Sequence, residues 1–457
     1  MKYPVKNVFI VGGTGFLGYY ASLEFLKKGI GVSSASIPDV KLGDWFPKQI
    51  KIVSENLDIF KASEEEITAV MKGSDAMVYA VGPDDRVVPP APSYDFFHDK
   101  LVVQCSKVVR AAKKAGVKRV AILNSYFAFF NRQPGFDGKL ADHHPYIRCR
   151  TEQAAACIAE GEKGVMDVMI LELPYIFGSM PGRLPLWKEV FLDRFDKMPA
   201  VFFPKGGTVM IHVRGIGESI VAAIVNGEHG GRYPIGVSNM KYKQMIRIMY
   251  DAIGNKKKIV NVPTWMAYMG GLMLNKQELK HGKQGGLDYA KLMTDIQSKD
   301  LYYSDETIAK VKEELGYKEL GFDNSVDVKK GIETTMQACY PEKFPGSDPA
   351  TQVQEDLKLI NELWTKKEAE EKPVKPAKAE KIEEAPVVIA EEIPAEKVEV
   401  APAAEEKPVK AAPKKVAPKA EEPKAEAPKA EKAAPKAEKP AEKPAEKPAE
   451  KKAAPKK

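Results

Sequence analysis

The chain has 457 residues, with 70 Lys plus Arg against 63 Asp plus Glu, and 44% hydrophobic residues. Residues 1–370 carry a net +4 and residues 371–457 a net +3, so no strongly basic field points to nucleic acid. The four cysteines (Cys105, Cys149, Cys157 and Cys339) lack metal-ligand spacing and read as reduced structural thiols in a reducing compartment.

In chain order, a short apolar strand, Val8 to Val11, stops at the run Gly12-Gly-Thr14-Gly15-Phe16-Leu17-Gly18. A helix is predicted to follow over Tyr19–Lys28. Strand, glycine turn and helix in this order hold a dinucleotide pyrophosphate against a helix N-terminus. Gly12 makes the tight turn, Gly15 lets backbone approach the phosphates, and Gly18 lets the helix pack close on its strand. Strands are predicted at Gly31–Ser34 and Ile50–Val53, a helix at Glu64–Met71 and a strand at Ala76–Ala80. A Pro-rich loop, Gly82 to Pro92, leads to a helix at Tyr94–Ala115 and a strand at Arg119–Leu123. A helix at Tyr146–Glu160 and a strand at Asp167–Leu173 complete the alternation. Such alternation requires a parallel sheet with crossover helices.

Beyond Gly178 the pattern loosens into Pro-, Gly- and aromatic-rich stretches that suit a substrate lobe. The apolar run Trp265 to Leu274 is too short to span a bilayer. It either lies on a membrane or caps the substrate pocket, and the pocket is the favoured reading. Val353, Leu357, Ile360 and Trp364 form one apolar stripe, expected as a last helix that docks on the body or on a partner. Residues 371–457 hold 21 Lys, 18 Glu and 15 Pro and no aromatic residue. This composition predicts a disordered tail, whose basic end from Lys451 on suits an acidic partner. The expected organisation is therefore a Rossmann-type α/β domain over 1–180, a substrate lobe over 181–345 interleaved with the core, an amphipathic helix over 346–370, and the tail. With no signal-peptide pattern, the cytoplasm is the expected location.

The spacing in GGTGFLG resembles the short-chain dehydrogenase/reductase superfamily, especially its extended and atypical branch of nucleotide-sugar epimerases and dihydroflavonol-reductase-like enzymes. Residues 116–125 look like that group's helix end and fifth strand. Leu57-Asp58-Ile59 looks like the place where an aspartate meets the adenine. Leu171 to Gly178 resembles the segment written LRPxxxYG, with Glu172 in place of arginine. His212 to Ile220 resembles HVDDVA, with Arg214 in place of the acid, and Asp300 to Gly316 resembles the usual C-terminal part. The similarity covers roughly residues 5–340. It implies a doubly wound parallel sheet, NAD or NADP as cofactor, and a small-molecule substrate such as a sugar nucleotide. A homodimer through the helices at Tyr94–Ala115 and Tyr146–Glu160 is also implied. Cofactor-binding positions by this resemblance are Gly12, Thr14, Gly15, Phe16, Leu17, Gly18, Ser36, Asp58, Ala80, Val81 and Pro174.

Catalysis in the superfamily rests on Tyr-x-x-x-Lys and an upstream Ser or Thr. Tyr146 and Arg150 occupy the motif, with Arg in place of Lys, and the arginine is expected to lower the tyrosine's pKa. The upstream hydroxyl falls on Tyr126 or on Ser125. The second strand ends without an acid, in Ser33 to Ile37 with Asp39 and Lys41 beyond, which leans toward NADP. Asp142-His143-His144 reads as a polar loop at the pocket rim, one of whose histidines is a substitute acid or base, and no metal is expected. Two functions stay open: an NAD(P)-dependent oxidoreductase or epimerase, or a non-catalytic cofactor-binding sensor, RNA-binding or structural subunit with a degraded site.

Overall fold

In the computed structural model, residues 1–38, 40–322 and 327–371 are described. Asp39 and the proposed disordered tail from 372 on lie outside them. Seven parallel strands form the main sheet: β1 (Asn7–Val11), β2 (Gly31–Ala35), β3 (Ile50–Ser54), β4 (Ala76–Tyr79), β5 (Arg119–Ser125), β6 (Asp167–Leu173) and β7 (Arg232–Pro234). Their order is β7-β6-β5-β4-β1-β2-β3, so the winding reverses between β1 and β4. Every residue of β4, β5 and β6 is buried, as expected for strands covered by helices on both faces. The one cation in β5, Arg119, is matched by its register partner Asp167 at 2.8 Å and by the carbonyls of Ile224 and Gly227.

A second sheet is built around the strand Gly207–His212. It pairs with Tyr175–Phe177, Ser238–Lys241 and Asp300–Leu301. A separate parallel pair joins Ala200–Phe203 to Lys258–Asn261.

Two expectations need correction. The helix expected over Tyr94–Ala115 is three pieces, Ser93–Phe97, a π-helical turn His98–Val103, and Gln104–Lys114. An apolar period does not reveal an i→i+5 turn, because the inserted residue shifts the face by only part of a turn. The apolar run Trp265 to Leu274 belongs to a helix, Thr264–Lys280, whose Trp265, Met266, Met269 and Met273 face solvent rather than a pocket.

The last helix, Gln354–Glu371, docks on the first, Phe16–Lys27. Val353, just before it, and Ile360 are fully buried, and Trp364 Nε1 donates to Leu26 O at 3.1 Å. Asp356 accepts from Lys27 at 3.1 Å and pairs with Arg214, whose other Nη donates to Gln352 O at 2.7 Å. Arg214, where the resemblance anticipates an acid, thus anchors the C-terminal helix. A chain ending at residue 371 should melt where the full chain does, whereas one ending at residue 352 should melt several degrees lower. Asp356→Ala should cost about 3 kcal/mol, because it leaves a largely buried arginine unpaired. Thermal denaturation followed by circular dichroism reads all three.

Candidate functional site

The glycine loop sits at the C-terminal end of β1, beside the point where the winding reverses and ligands of open α/β sheets bind. Gly12 has φ +88°, and a Cβ there would meet Val81 Cγ1 at 2.6 Å and Ala80 O at 2.9 Å. Only glycine lets this loop close against the end of β4. At Gly18 a Cβ would meet Gly12 O at 2.2 Å, so the first helix packs directly on the loop. Gly15 is different: its nearest atom would be Gly12 O at 3.1 Å, with nothing else within 4 Å. Its N–H closes the turn onto Gly12 O at 2.9 Å. Thr14 stands between them, and Arg183 Nη2 donates to its carbonyl at 3.3 Å. The helix then starts at Phe16 with no side-chain cap and no acid in its first turn. The N–H groups of Phe16, Leu17 and Gly18 therefore have no intrahelical acceptor, which suits a bound anion.

Gly13 was given no role by the sequence. A Cβ there would lie 2.7 Å from Ser34 Oγ, and Ser34 accepts from Gly13 N and donates to Ile10 O. A serine on the neighbouring strand fixes the loop, a pairing visible only once β1 and β2 are adjacent.

Ser36, Ile37, Val40, Ile52, Glu55 and Asn56 line a cleft of about 420 Å³ past the ends of β2 and β3. The described lining has no cation, and Glu55 supplies a carboxylate from the residue after β3, which the sequence reading missed. Asp58 is half-buried beside it, bound to Phe60 N at 3.1 Å and Lys61 Nζ at 3.1 Å. Pro174 is buried at the end of β6.

Tyr146 enters on the helix Pro145–Glu160, started by Pro145 at its first position. Its ring packs edge-on against Phe97 at 5.5 Å, its N–H donates to Gly286 O at 2.8 Å, and its hydroxyl accepts from Arg150 Nε at 3.0 Å. Arg150 also donates to Leu123 O, Gln153 Oε1 and Pro83 O. Four of its five N–H groups are thereby committed, leaving one on Nη2. Burial pushes the Tyr146 hydroxyl up, and Arg150 opposes this without overcoming it. Arg150 pulls the phenol's pKa down as expected, but desolvation is the larger effect, so the net shift is upward and the phenol stays protonated at neutral pH.

The charged triplet Asp84, Asp85 and Arg86, on the Pro-rich loop after β4, faces the same region. Burial, then Asp84, raises the Asp85 carboxyl. Burial also acts on Asp84, but its ion pair with Arg86 holds it below the ordinary range. Their only sequence signal was three charges inside a loop otherwise made of Gly, Pro, Val and Ala.

The two upstream hydroxyl candidates diverge. Ser125 Oγ, at the end of β5, accepts from Phe127 N at 3.3 Å and starts the helix Tyr126–Asn131. Tyr126 OH instead meets Thr208 Oγ1 at 2.9 Å in the second sheet. Glu172 is fully buried and accepts both Nη groups of Arg132, at 2.7 and 2.9 Å. It ties that helix to β6, so the departure from arginine is a structural clamp.

The histidines go to separate partners. His143 Nδ1 meets Asp295 Oδ2 at 2.7 Å, and His144 Nδ1 accepts from Asp288 N at 3.1 Å. Among the described residues no group of three or more His, Cys, Asp or Glu is placed to hold a metal. Burial lowers the pKa of His144 to about 4, and burial together with Arg214 lowers that of His212 to about 4. An unfolded histidine titrates near 6.5, so the unfolded chain binds more protons between these values. Stability present above pH 6.5 should fall as pH drops toward 4, by about 3 kcal/mol per histidine. Melting temperatures from pH 7 to 4.5 check this, and His144→Gln should flatten the slope.

Comparison with solved structures settles the architecture. An epimerase from Methanothermobacter thermautotrophicus superposes with a TM-score of 0.53 at 17% identity, covering 79% of this chain and 95% of its own. This chain has the fold of that epimerase structure. WbmG of Bordetella bronchiseptica, solved with NAD, shares it at a TM-score of 0.52 and 16% identity, over 75% of this chain and 96% of its own. So does the UDP-glucose 4-epimerase of Thermotoga maritima, solved with UDP-glucose, at a TM-score of 0.51 and 13% identity, over 74% of this chain and 99% of its own. No family model and no curated protein matches the sequence. The likeness to these structures therefore rests on shape.

Proposed function

We propose that this chain is an NAD-dependent oxidoreductase or epimerase acting on a hydroxyl or carbonyl of a small molecule such as a sugar nucleotide. The observation that carries this reading is the open approach at Gly15, over an uncapped helix N-terminus where the sheet's winding reverses. That approach fits a pyrophosphate, while Gly12 and Gly18 let the loop and helix close beneath it. The cofactor supplies a hydride acceptor and donor when bound. NAD is favoured over NADP because the cleft past β2 presents Glu55 and no described cation. A carboxylate accepts from a ribose hydroxyl but repels a 2′-phosphate.

The chain's own residues then handle the proton. Tyr146 holds it on its hydroxyl at neutral pH and passes it to or from the substrate oxygen. Arg150 orients that hydroxyl through Nε, and its remaining N–H is available to the cofactor ribose. Ser125, at the end of β5, is the better-placed hydroxyl to orient the substrate oxygen, because Tyr126 is engaged by Thr208.

Mass spectrometry of the purified protein for a co-purified nicotinamide nucleotide, followed by calorimetric titration with NAD and NADP, tests the reading. Tighter NAD binding is expected, and turnover in a sugar-nucleotide screen would support the enzyme. Binding without turnover across that screen would favour the non-catalytic alternative, for which the heavily committed Arg150 speaks.

A further inference from the structure

Outside the glycine-loop and tyrosine regions, exposed apolar side chains follow directly in sequence on a concentration of positive charge. The helix Thr264–Lys280 is seated by its inner side. A Cβ at Gly271 would meet the backbone of Tyr289 and Ala290 at 2.5–2.6 Å, and Asn275 bonds Asp288 and Tyr289. Its outer side presents Trp265 (69% exposed), Met266 (48%), Met269 (53%) and Met273 (71%). At 100° per residue these four fall within an arc of about 100°, and Lys276 and Lys280 continue the same stripe. Scattered exposed apolar residues need no explanation, but four on one helical stripe mark a contact surface.

Four residues before Trp265 the chain leaves a basic cleft. This cleft, of about 660 Å³, is lined by Lys205, Lys241, Lys243, Arg247 and Lys258 with Gln244, Ile259 and Asn261, and by no described acid. Lys241 is paired with Asp300 and Arg247 with Asp251. Lys205, Lys243 and Lys258 have no carboxylate within ion-pair distance among the described residues. The strand that pairs with Lys258–Asn261 exposes Phe202. Across residues 255–283 there are six lysines and a single acid, Glu278.

We infer that this face docks the protein on an anionic bilayer surface. The basic cleft takes lipid phosphates, while Trp265 and the methionines enter the boundary between headgroups and acyl chains. Both halves match that surface: clustered lysines are attracted to anionic lipid, and a Trp- and Met-bearing stripe is stabilised by partial burial below the headgroups. Among the described residues no helix is long and apolar enough to cross a membrane, so the association is peripheral. The redox or epimerase reading does not depend on it.

Sedimentation of the full chain with vesicles of equimolar phosphatidylglycerol and phosphatidylcholine tests the inference. Binding is expected to the mixed vesicles, weakly to phosphatidylcholine alone, and to weaken with salt. The triple variant Trp265→Ser, Met269→Ser, Met273→Ser and the double variant Lys243→Glu, Lys258→Glu should each lower binding about tenfold or more. Their substitutions are at exposed positions, and an unchanged Tm confirms folding. Because the basic tail end is intact in every variant, binding through the tail would leave all three chains equal, which overturns the inference. Absence of binding to the mixed vesicles also overturns it, as does equal displacement by free glycerol phosphate at matched phosphate concentration, which would make the cleft a soluble-anion site. A drop from dimer to monomer in the triple variant, without loss of vesicle binding, would assign the face to a second copy of the chain instead.

Discussion

Tyr146→Phe should cut turnover by about 10²-fold or more, the usual scale for losing a positioned acid or base, while NAD affinity changes by no more than about twofold. The substitution removes one oxygen and keeps the edge-on packing against Phe97. What it leaves behind is Arg150 Nε without its acceptor, while the guanidinium stays held by Leu123 O, Gln153 and Pro83 O. The helix therefore stays in place and the loss is chemical. Arg150→Lys should keep or raise activity, since lysine is the residue the resemblance anticipates and its ammonium can reach both the phenol and the ribose. Steady-state rates with an active substrate, alongside calorimetry with NAD, separate the two effects. Full turnover in Tyr146→Phe would remove it from the chemistry. The loop acids Asp84 and Asp85 would then be next to test, ahead of His143 and His144, which are engaged elsewhere.

Gly15→Val should abolish detectable NAD binding, a loss of about 100-fold or more, while leaving the protein folded. Gly15 has φ −92° and ψ 171°, ordinary extended backbone that valine adopts readily. Its Cβ would press only on Gly12 O, at 3.1 Å, so the loop tolerates it. The two methyl groups would instead fill the space through which a pyrophosphate reaches the uncapped N–H groups. Gly18→Ala makes the informative contrast. There the added carbon meets backbone at 2.2 Å, so melting temperature should fall along with binding. Titration calorimetry and thermal melts on both variants distinguish blocked approach from a broken loop. Unchanged affinity in Gly15→Val would place the cofactor elsewhere.

Most of the parallel sheet was legible because its signals are local. β1, β5 and β6 are apolar runs bounded by glycine or polar turns, and the helix Glu64–Met71 carries its own start signal, a Ser63–Glu66 capping box. Gly12 and Gly18 were legible as well, since strand–glycine–helix order dictates where backbone must crowd. The stripe Val353 to Trp364 was read as a docking helix, although its partner was left open. The unread features join segments distant in sequence. Gly13 needs Ser34, Glu172 needs Arg132, and Arg214 needs Asp356, and none of these pairs has a periodicity to betray it. At the candidate site, Tyr146 and Arg150 were found by spacing. Glu55 and the triplet Asp84–Arg86 were not, because loop residues gain meaning only when the sheet brings their strands' ends together. The outward turn of Trp265 escaped for a related reason: composition gives apolarity and not the side on which a helix is seated.

The C-terminal helix has a consequence for how this protein is made. The helix that follows the glycine loop ends at Lys27, and two groups complete that end from the far side of the sequence. Trp364 Nε1 reaches Leu26 O and Lys367 Nζ reaches Gly29 O, each across 338 residues. On the ribosome, the glycine loop emerges among the first residues, yet these second donors to Leu26 O and Gly29 O emerge 338 residues after the groups that they meet. Vectorial synthesis therefore adds this long-range clasp only after the whole parallel sheet and its glycine loop have been made. A nascent chain stalled before Trp364 would hold all its glycines and a helix end closed by its own turn, where Gly29 N–H meets Leu26 O at 3.0 Å, but not the clasp from the far end of the sequence.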